Sequence, residues 1–217
     1  MKPDILFLLS QSIWFPVVVG LLRFKLLKTE YLLFFLLLVA GLITEIISFI
    51  TIRVYHSNAV ATNIFVLTEW LLLAYQFNQW GLLASRKRLF YLLLIIPVLI
   101  WIVENLFLGK ITAFSPYFRI LYAFLLTLMS ITEINFMIAY DNKTLRRNPK
   151  FIICIGLILF FVYQILYEWA YQVSLIQEPT HFTTLISSLF AYINALTNII
   201  FGIAFLVIPG RTRFKLE

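Results

Sequence analysis

Long apolar stretches recur along the whole chain and are separated by short polar connections. A helix needs about 20 predominantly apolar residues to cross the hydrocarbon core of a bilayer. Seven stretches come close to that length or exceed it, and they cover residues 5–22, 31–53, 59–79, 89–108, 117–140, 151–173 and 182–208. We therefore expect an all-α fold with a single domain over residues 1–217, a polytopic membrane protein that forms a seven-transmembrane-helix bundle.

Composition agrees with this prediction. Apolar residues make up 62% of the chain and charged residues 12%, whereas soluble domains are roughly 45–50% apolar and about 25% charged. A soluble core of this size cannot bury so many apolar side chains, but a bilayer lets them face lipid. We expect an integral membrane protein whose first partner is the lipid bilayer, and whose location is the bacterial inner membrane.

The basic residues predict the orientation of the spans. Four segments on one side of the predicted bundle carry most of the 17 Lys and Arg residues. They are Arg23, Lys25 and Lys28, then Arg86, Lys87 and Arg88, then Lys143, Arg146, Arg147 and Lys150, and finally Arg211, Arg213 and Lys215. The opposite side has only Lys2, Arg53, Lys110 and Arg119. The positive-inside rule then places the N-terminus outside and the C-terminus in the cytoplasm.

Topology accounts for most of the net charge of +7. A basic cytoplasmic face also suits anionic lipid or an acidic partner chain. Because the basic residues are scattered over four short segments, we expect no nucleic-acid partner. The connections are short, so we expect any signal to leave the protein through contact with a cytoplasmic partner.

Five glutamates interrupt the predicted spans: Glu45, Glu69, Glu104, Glu133 and Glu168. Ionisable residues within a span are costly and are functional candidates by default. At most two cations, Arg53 and Arg119, lie near them, so most of these carboxyls must be protonated, hydrogen-bonded or holding a cation from solution. By position, three of the five belong to the outer half of the membrane, one is near the midplane, and Glu133 is in the inner half.

Helical spacing predicts that these side chains face the interior of the bundle. Glu69 shares a face with Thr62 and Gln76, and Glu168 shares a face with Gln164. The last predicted span carries a small and polar stripe that suits either close helix packing or a ligand site: Thr184, Ser187, Ser188, Ala191, Asn194 and Asn198. We predict an outward-facing polar cavity whose candidate ligand- or ion-binding residues are Glu45, Glu69, Glu168, Glu104, Glu133, Asn63, Asn194 and Asn198.

Cofactor and catalytic signals are weak. His56 and His181 flank predicted spans and are the weak candidates for a metal site, but their spacing matches no ligand motif. The last span contains no lysine, so a Schiff base to retinal is excluded. There is no phosphate-binding loop, nucleophile elbow or HExxH motif. We expect no cofactor and no catalytic residue, which favours a protein that is not an enzyme.

Three short motifs resemble a group of small, uncharacterised bacterial seven-span membrane proteins. They are Ile-Thr-Glu-Ile-Ile-Ser-Phe at 43–49, Asn63 followed by Thr68-Glu69-Trp70, and Tyr192-Ile193-Asn194 with Asn198. Proteins of that group resemble companions of sensor kinases, so the resemblance implies a role in signalling.

Three functions are compatible with these observations. The first is a receptor-like or sensory module that binds a proton, cation or small polar ligand. The second is a proton or cation transporter or channel that uses the same glutamates, with Glu133 completing the path. The third is an intramembrane lipid-modifying enzyme. We rank the sensory module first, the transporter close behind it and the enzyme third. The sequence alone does not separate the first two functions.

Overall fold

The computed structural model describes Leu9 and residues 11–27, 29–84, 86–109, 111–140, 145–176 and 180–208, and all regular structure in them is helical. We number seven helices in chain order. They are α1 (Trp14–Leu22), α2 (Thr29–Tyr55), α3 (Ala59–Trp80), α4 (Lys87–Ile102, continued by a π-helical turn over Val103–Leu108), α5 (Pro116–Tyr140), α6 (Pro149–Ile176) and α7 (His181–Val207). Short 3₁₀ turns precede α1, follow it and precede α6.

Six of these helices, α2 to α7, are long and apolar enough to cross a membrane, as expected of an integral membrane protein. Their bounds lie within a few residues of the predicted spans. The first predicted span, 5–22, lies partly outside the described residues. Its described part is a shorter apolar helix over Gln11–Leu22. The basic residues Lys2, Lys28, Lys110, Lys143, Arg211, Arg213 and Lys215 also lie outside the described residues.

The helices form a ring with one helix outside it. Each helix of the ring packs against the next in the order α1, α2, α3, α5, α6 and α7, and α7 also packs against α1. Helix α4 packs against α3 and α5 on the periphery. Sequence-adjacent helices joined by short connections are antiparallel. We call the end where α2 meets α3 and α4 meets α5 the Asn63 end, and the end where α3 meets α4 and α5 meets α6 the Trp80 end.

Helices α3 and α4 differ in both polarity and burial. The most apolar window of α3 has a mean hydropathy of 1.3 and that of α4 has 2.3. Yet 44% of the α3 window is buried in the protein, compared with 22% of the α4 window. The apolar side chains of α4 can face lipid, whereas the polar side chains of α3 need partners within the protein. Of these two neighbouring helices, the less apolar one takes the interior position.

Local signals fix several helix ends. Pro116 and Pro149 are the first residues of α5 and α6, a position where a missing N–H costs nothing. Gly81 ends α3 in the left-handed conformation, with φ of 101°, which glycine adopts without steric cost. Before α7, the Thr180 hydroxyl accepts a hydrogen bond from the Thr183 N–H at 3.2 Å, a regular N-cap.

Helix α1 is held against α7. Gly202 lies so close to the ring of Phe15 that a Cβ atom there would approach it to 2.1 Å, so the small residue permits the contact. The guanidinium of Arg23 donates to the carbonyls of Phe205 and Leu206. These carbonyls end α7, and a cation at a helix C-terminus is favourable. The described part of α1 thus lies beside α7 and α2 in the half of the bundle nearer the Trp80 end.

Candidate functional site

A buried ion pair joins α5 to α6. The Arg119 guanidinium lies 3.2 Å from Glu168 Oε1, and both side chains are more than nine-tenths buried. Arg119 also lies over the ring of Phe114, 5.1 Å from its centroid. From the sequence, Arg119 was expected only to be a cation near the glutamates, because it is in the first turn of its helix. The structure gives it a central position, since a buried carboxylate is costly unless a cation pairs with it.

Asn63 holds this pair from α3. Its Oδ1 accepts hydrogen bonds from Arg119 at 3.3 Å and from the Ser115 hydroxyl at 3.2 Å. Its Nδ2 donates to the carbonyls of Ile111 at 3.0 Å and Ala113 at 2.6 Å. Asn63 is fully buried, and both polar atoms of its amide have partners. It therefore positions Arg119 and fixes the α4–α5 connection.

A second polar chain crosses from α3 through α5 to α6. The Tyr122 hydroxyl donates to Glu69 Oε2 at 2.8 Å and accepts from Gln164 Nε2 at 2.7 Å. All three side chains are buried. The tyrosine hydroxyl is both donor and acceptor, so it links an acceptor-only carboxylate to an amide donor. Tyr122 was not among the candidates predicted from the sequence, because tyrosine is common in apolar spans and only its hydrogen-bond partners identify it as part of the site.

The Arg119–Glu168 pair and the Glu69–Tyr122–Gln164 chain line one cavity in the middle of the ring, with a volume of about 230 Å³. One water needs roughly 10–15 Å³ on a comparable measure, so the space suits a small molecule. Glu45, Glu69, Glu168, Asn194 and Asn198 all line it, which brings together five of the eight candidate residues. Asn58, in the connection between α2 and α3, also lines it, so the cavity extends to the Asn63 end.

The cavity wall combines polar and aromatic groups. Helix α2 contributes Thr44, Glu45 and Ser48, and α7 contributes Asn194, Thr197 and Asn198. The aromatic part contains Phe65, Phe160, Tyr167, Phe190 and Phe201. Asn198 Nδ2 donates to the Ser12 hydroxyl at 2.8 Å. This bond ties the cavity wall to the segment that leads into α1.

The other three candidates lie elsewhere. Asn63 supports Arg119 from behind, as described. Glu104, in the π-helical turn, accepts hydrogen bonds from the backbone N–H groups of Tyr117 at 3.0 Å and Phe118 at 2.7 Å. It therefore caps the first turn of α5, where a carboxylate is favourable. Glu133 is buried on α5 but is not among the cavity-lining residues.

The two histidines do not join the glutamates. His56 and His181 are both exposed, and neither lines the cavity. Among the described residues, no three His, Cys, Asp or Glu side chains lie close enough to hold one metal ion. A cluster of that kind is the usual minimum for a protein metal site.

An apolar layer closes the cavity toward the Trp80 end. It consists of Phe34, Leu73, Leu126, Ile153 and Phe205, each with 0% of its surface exposed. Each lies about one helical turn beyond a cavity residue on the same face of its helix: Leu37, Glu69, Tyr122, Leu157 and Phe201. In each of these five helices, one turn therefore lines the cavity and the next turn belongs to the packed layer. Edge-to-face contact of Phe34 with Phe201, at 4.9 Å, joins the two levels.

No protein-family model, curated protein or solved structure is significantly similar to this chain. The resemblance to small bacterial seven-span proteins therefore rests on its short motifs alone. Within those motifs, the structure places Glu45, Glu69, Asn194 and Asn198 on the cavity wall.

Proposed function

We propose that this protein is a receptor-like sensory membrane module. In this proposal it has seven spans, with its N-terminus outside and its C-terminus in the cytoplasm, so the Asn63 end faces outward. A cation or small polar ligand enters from that end and binds among Glu45, Glu69 and Glu168. The observation that carries the proposal is the shared cavity, which extends to one end and is closed by the apolar layer toward the other.

The polar contacts around the cavity supply a means of transmission. The Arg119–Glu168 pair links α5 to α6, and the Glu69–Tyr122–Gln164 chain adds α3. A ligand that binds one arrangement of these groups better than another shifts the helix positions by that difference in affinity. Such a shift is carried along rigid helices to the Trp80 end.

The Trp80 end is suited to a partner chain or anionic lipid. Its described cations are Arg23, Lys25, Arg86, Lys87, Arg88, Arg147 and Lys150. By the positive-inside rule this end is cytoplasmic. A cytoplasmic partner with an acidic surface would be attracted there and would read the helix movement.

The apolar layer supports a sensor over a transporter. A proton or cation that crossed the protein from the cavity would have to pass fully buried apolar side chains, which offer no polar group. Glu133, the proposed inner station of such a path, does not line the cavity. Flux measured in liposomes, with Glu69→Gln and Glu168→Gln as controls, tests the alternative. Flux in wild type that both variants abolish would favour transport.

Photo-crosslinking in native membranes tests the sensory proposal. A photoreactive residue at Lys87, the first residue of α4 at the Trp80 end, is expected to capture a cytoplasmic protein. The same photoreactive side chain at Tyr55, the last residue of α2 at the Asn63 end, is expected not to capture that protein. Failure to find any partner from Lys87, Lys25 and Arg147 would remove the output on which the proposal depends.

A further inference from the structure

The charges that line the cavity do not balance. Three carboxylates, of Glu45, Glu69 and Glu168, line it together with one guanidinium, of Arg119. That guanidinium pairs with Glu168, and Glu69 is held by Tyr122. Glu45 is neither ion-paired nor hydrogen-bonded to any residue that the structure describes. A carboxylate within a span is costly without a counter-charge, so a cationic ligand would stabilise this wall.

Two buried polar atoms of the same cavity wall also need partners. Gln164 Oε1 and Thr197 Oγ1 have no hydrogen-bond partner among the described residues, and both side chains line the cavity and are at least 95% buried, with exposures of 5% and 1%. A buried acceptor without a hydrogen-bond partner destabilises the protein. An amide oxygen accepts only, so the ligand must carry donors. Arg119 Nε is orphaned as well, but its guanidinium already faces Glu168.

The shape of the cavity selects against a bare metal ion. The carboxylates come from three helices, and no three acidic, His or Cys side chains of the described residues converge on one point. The cavity is large, and much of its wall is aromatic. The ring of Phe190 stacks on that of Tyr167, with 4.6 Å between the ring centroids, and contacts that of Phe160, with 5.7 Å between the centroids. Such rings suit an apolar body and also attract cations to their faces.

We propose that the cavity binds a small organic ammonium ion with an apolar body. Its ammonium group pairs with Glu45 and donates to Gln164 Oε1, and its apolar body lies against Phe160, Phe190 and Phe201. The proposal rests on the sensory function proposed above and names the ligand class for that same cavity.

Calorimetry on the full chain in nanodiscs of zwitterionic lipid tests it. The probes are phenethylamine, which is cationic at neutral pH, phenethyl alcohol, which is neutral, and hydrocinnamate, which is anionic. We expect the amine to bind at least about tenfold more tightly than either analogue, since one desolvated charge pair is worth roughly 1.4 kcal/mol or more. Empty nanodiscs give the correction for partition into lipid.

Two variants locate the binding. Glu45→Gln keeps the size of the side chain and removes its charge, so we expect it to weaken amine binding by about tenfold or more and to leave alcohol binding unchanged. Glu133→Gln is the matched control, a buried glutamate outside the cavity, and should bind the amine as wild type does. Thermal unfolding of both variants confirms that they fold.

Four results would overturn the proposal. Equal binding of amine and alcohol would make the cavity merely apolar. Tighter binding of hydrocinnamate would make Arg119 the anchor. Absence of amine binding, or its persistence in Glu45→Gln, would remove the ammonium site. None of these results affects the crosslink from Lys87, and loss of that crosslink does not affect amine binding, so the ligand class and the sensory function fail separately.

Discussion

In the half of the bundle near the Asn63 end, the ring helices face one another with carboxylates, amides and a guanidinium around a cavity. One turn further toward the Trp80 end, the same helices meet through Phe34, Leu73, Leu126, Ile153 and Phe205, which are fully buried. The apolar layer is held together by van der Waals packing, because lipid is as apolar as its side chains and therefore supplies no hydrophobic driving force. In the polar half each buried polar side chain needs a hydrogen-bond or ionic partner. Those without a partner in the protein indicate where a ligand would bind.

The largest expected effect comes from breaking the ion pair of the polar half. Arg119→Leu leaves Glu168 buried without its cation and should lower the free energy of unfolding by about 3–5 kcal/mol. The double variant Arg119→Leu/Glu168→Leu should recover much of that loss. Arg53→Leu, which removes an exposed arginine, is the control and should change little. Unfolding in a mixed-detergent titration measures all three. Equal losses for Arg53→Leu and Arg119→Leu would contradict the assigned pair.

The apolar layer should respond through volume rather than charge. Leu73→Ala removes a fully buried side chain and should cost about 2–5 kcal/mol, with about 3 kcal/mol as the central expectation. Leu92→Ala, on the exposed face of α4, should cost about 0.5 kcal/mol or less. Thermal unfolding in nanodiscs compares them. If both variants unfold at the same temperature, the packed layer is wrongly placed.

A smaller effect is expected from the hydroxyl of Tyr122. Tyr122→Phe removes the bonds to Glu69 and Gln164 and should cost about 1–3 kcal/mol, because buried polar groups lose their partners. Tyr117→Phe is matched in chemistry, but its side chain is 74% exposed, so its loss should be near zero. The difference between the two variants measures the polar chain, and the absence of a difference would argue that the chain does not form.

The smallest effect concerns Glu104, which lies outside the cavity. Glu104→Ala removes the cap of α5 and should cost about 0.5–2 kcal/mol. Glu104→Gln, whose amide oxygen still accepts, should recover part of it. Phenethylamine affinity should be unchanged in both variants. Calorimetry that showed a large loss of affinity in Glu104→Gln would return this glutamate to the ligand site.

The sequence alone was sufficient to predict the six long apolar helices among the described residues, because length and apolar composition determine such helices. It also predicted that Glu45, Glu69 and Glu168 face the interior, since a carboxylate avoids lipid wherever it can. The shared cavity follows from those two facts once the helices form a ring.

Other features required the three-dimensional arrangement. Glu104 has the same sequence signature as Glu168, an acidic residue late in a span, yet one caps a helix and the other is ion-paired. What separates them is the neighbour, Phe118 N–H in one case and Arg119 in the other. Residues 117–119 carry no pattern that assigns these partners. The peripheral place of α4 was likewise not predicted, and mean hydropathy does not give it, because α2 has a higher value, 2.6 compared with 2.3, and yet belongs to the ring.

Cysteine accessibility in oriented vesicles tests the central claim, a glutamate-lined cavity open to one end and closed toward the other. Wild type supplies the blank, because its single cysteine, Cys154, is fully buried. Ser48→Cys on α2 and Asn194→Cys on α7, both on the cavity wall, should react with a membrane-impermeant thiol reagent applied from outside and not from the cytoplasmic side. Ser130→Cys, buried on α5 away from the cavity, should react from neither. Reaction of Ser48→Cys from both sides, or from the cytoplasmic side alone, would contradict the account.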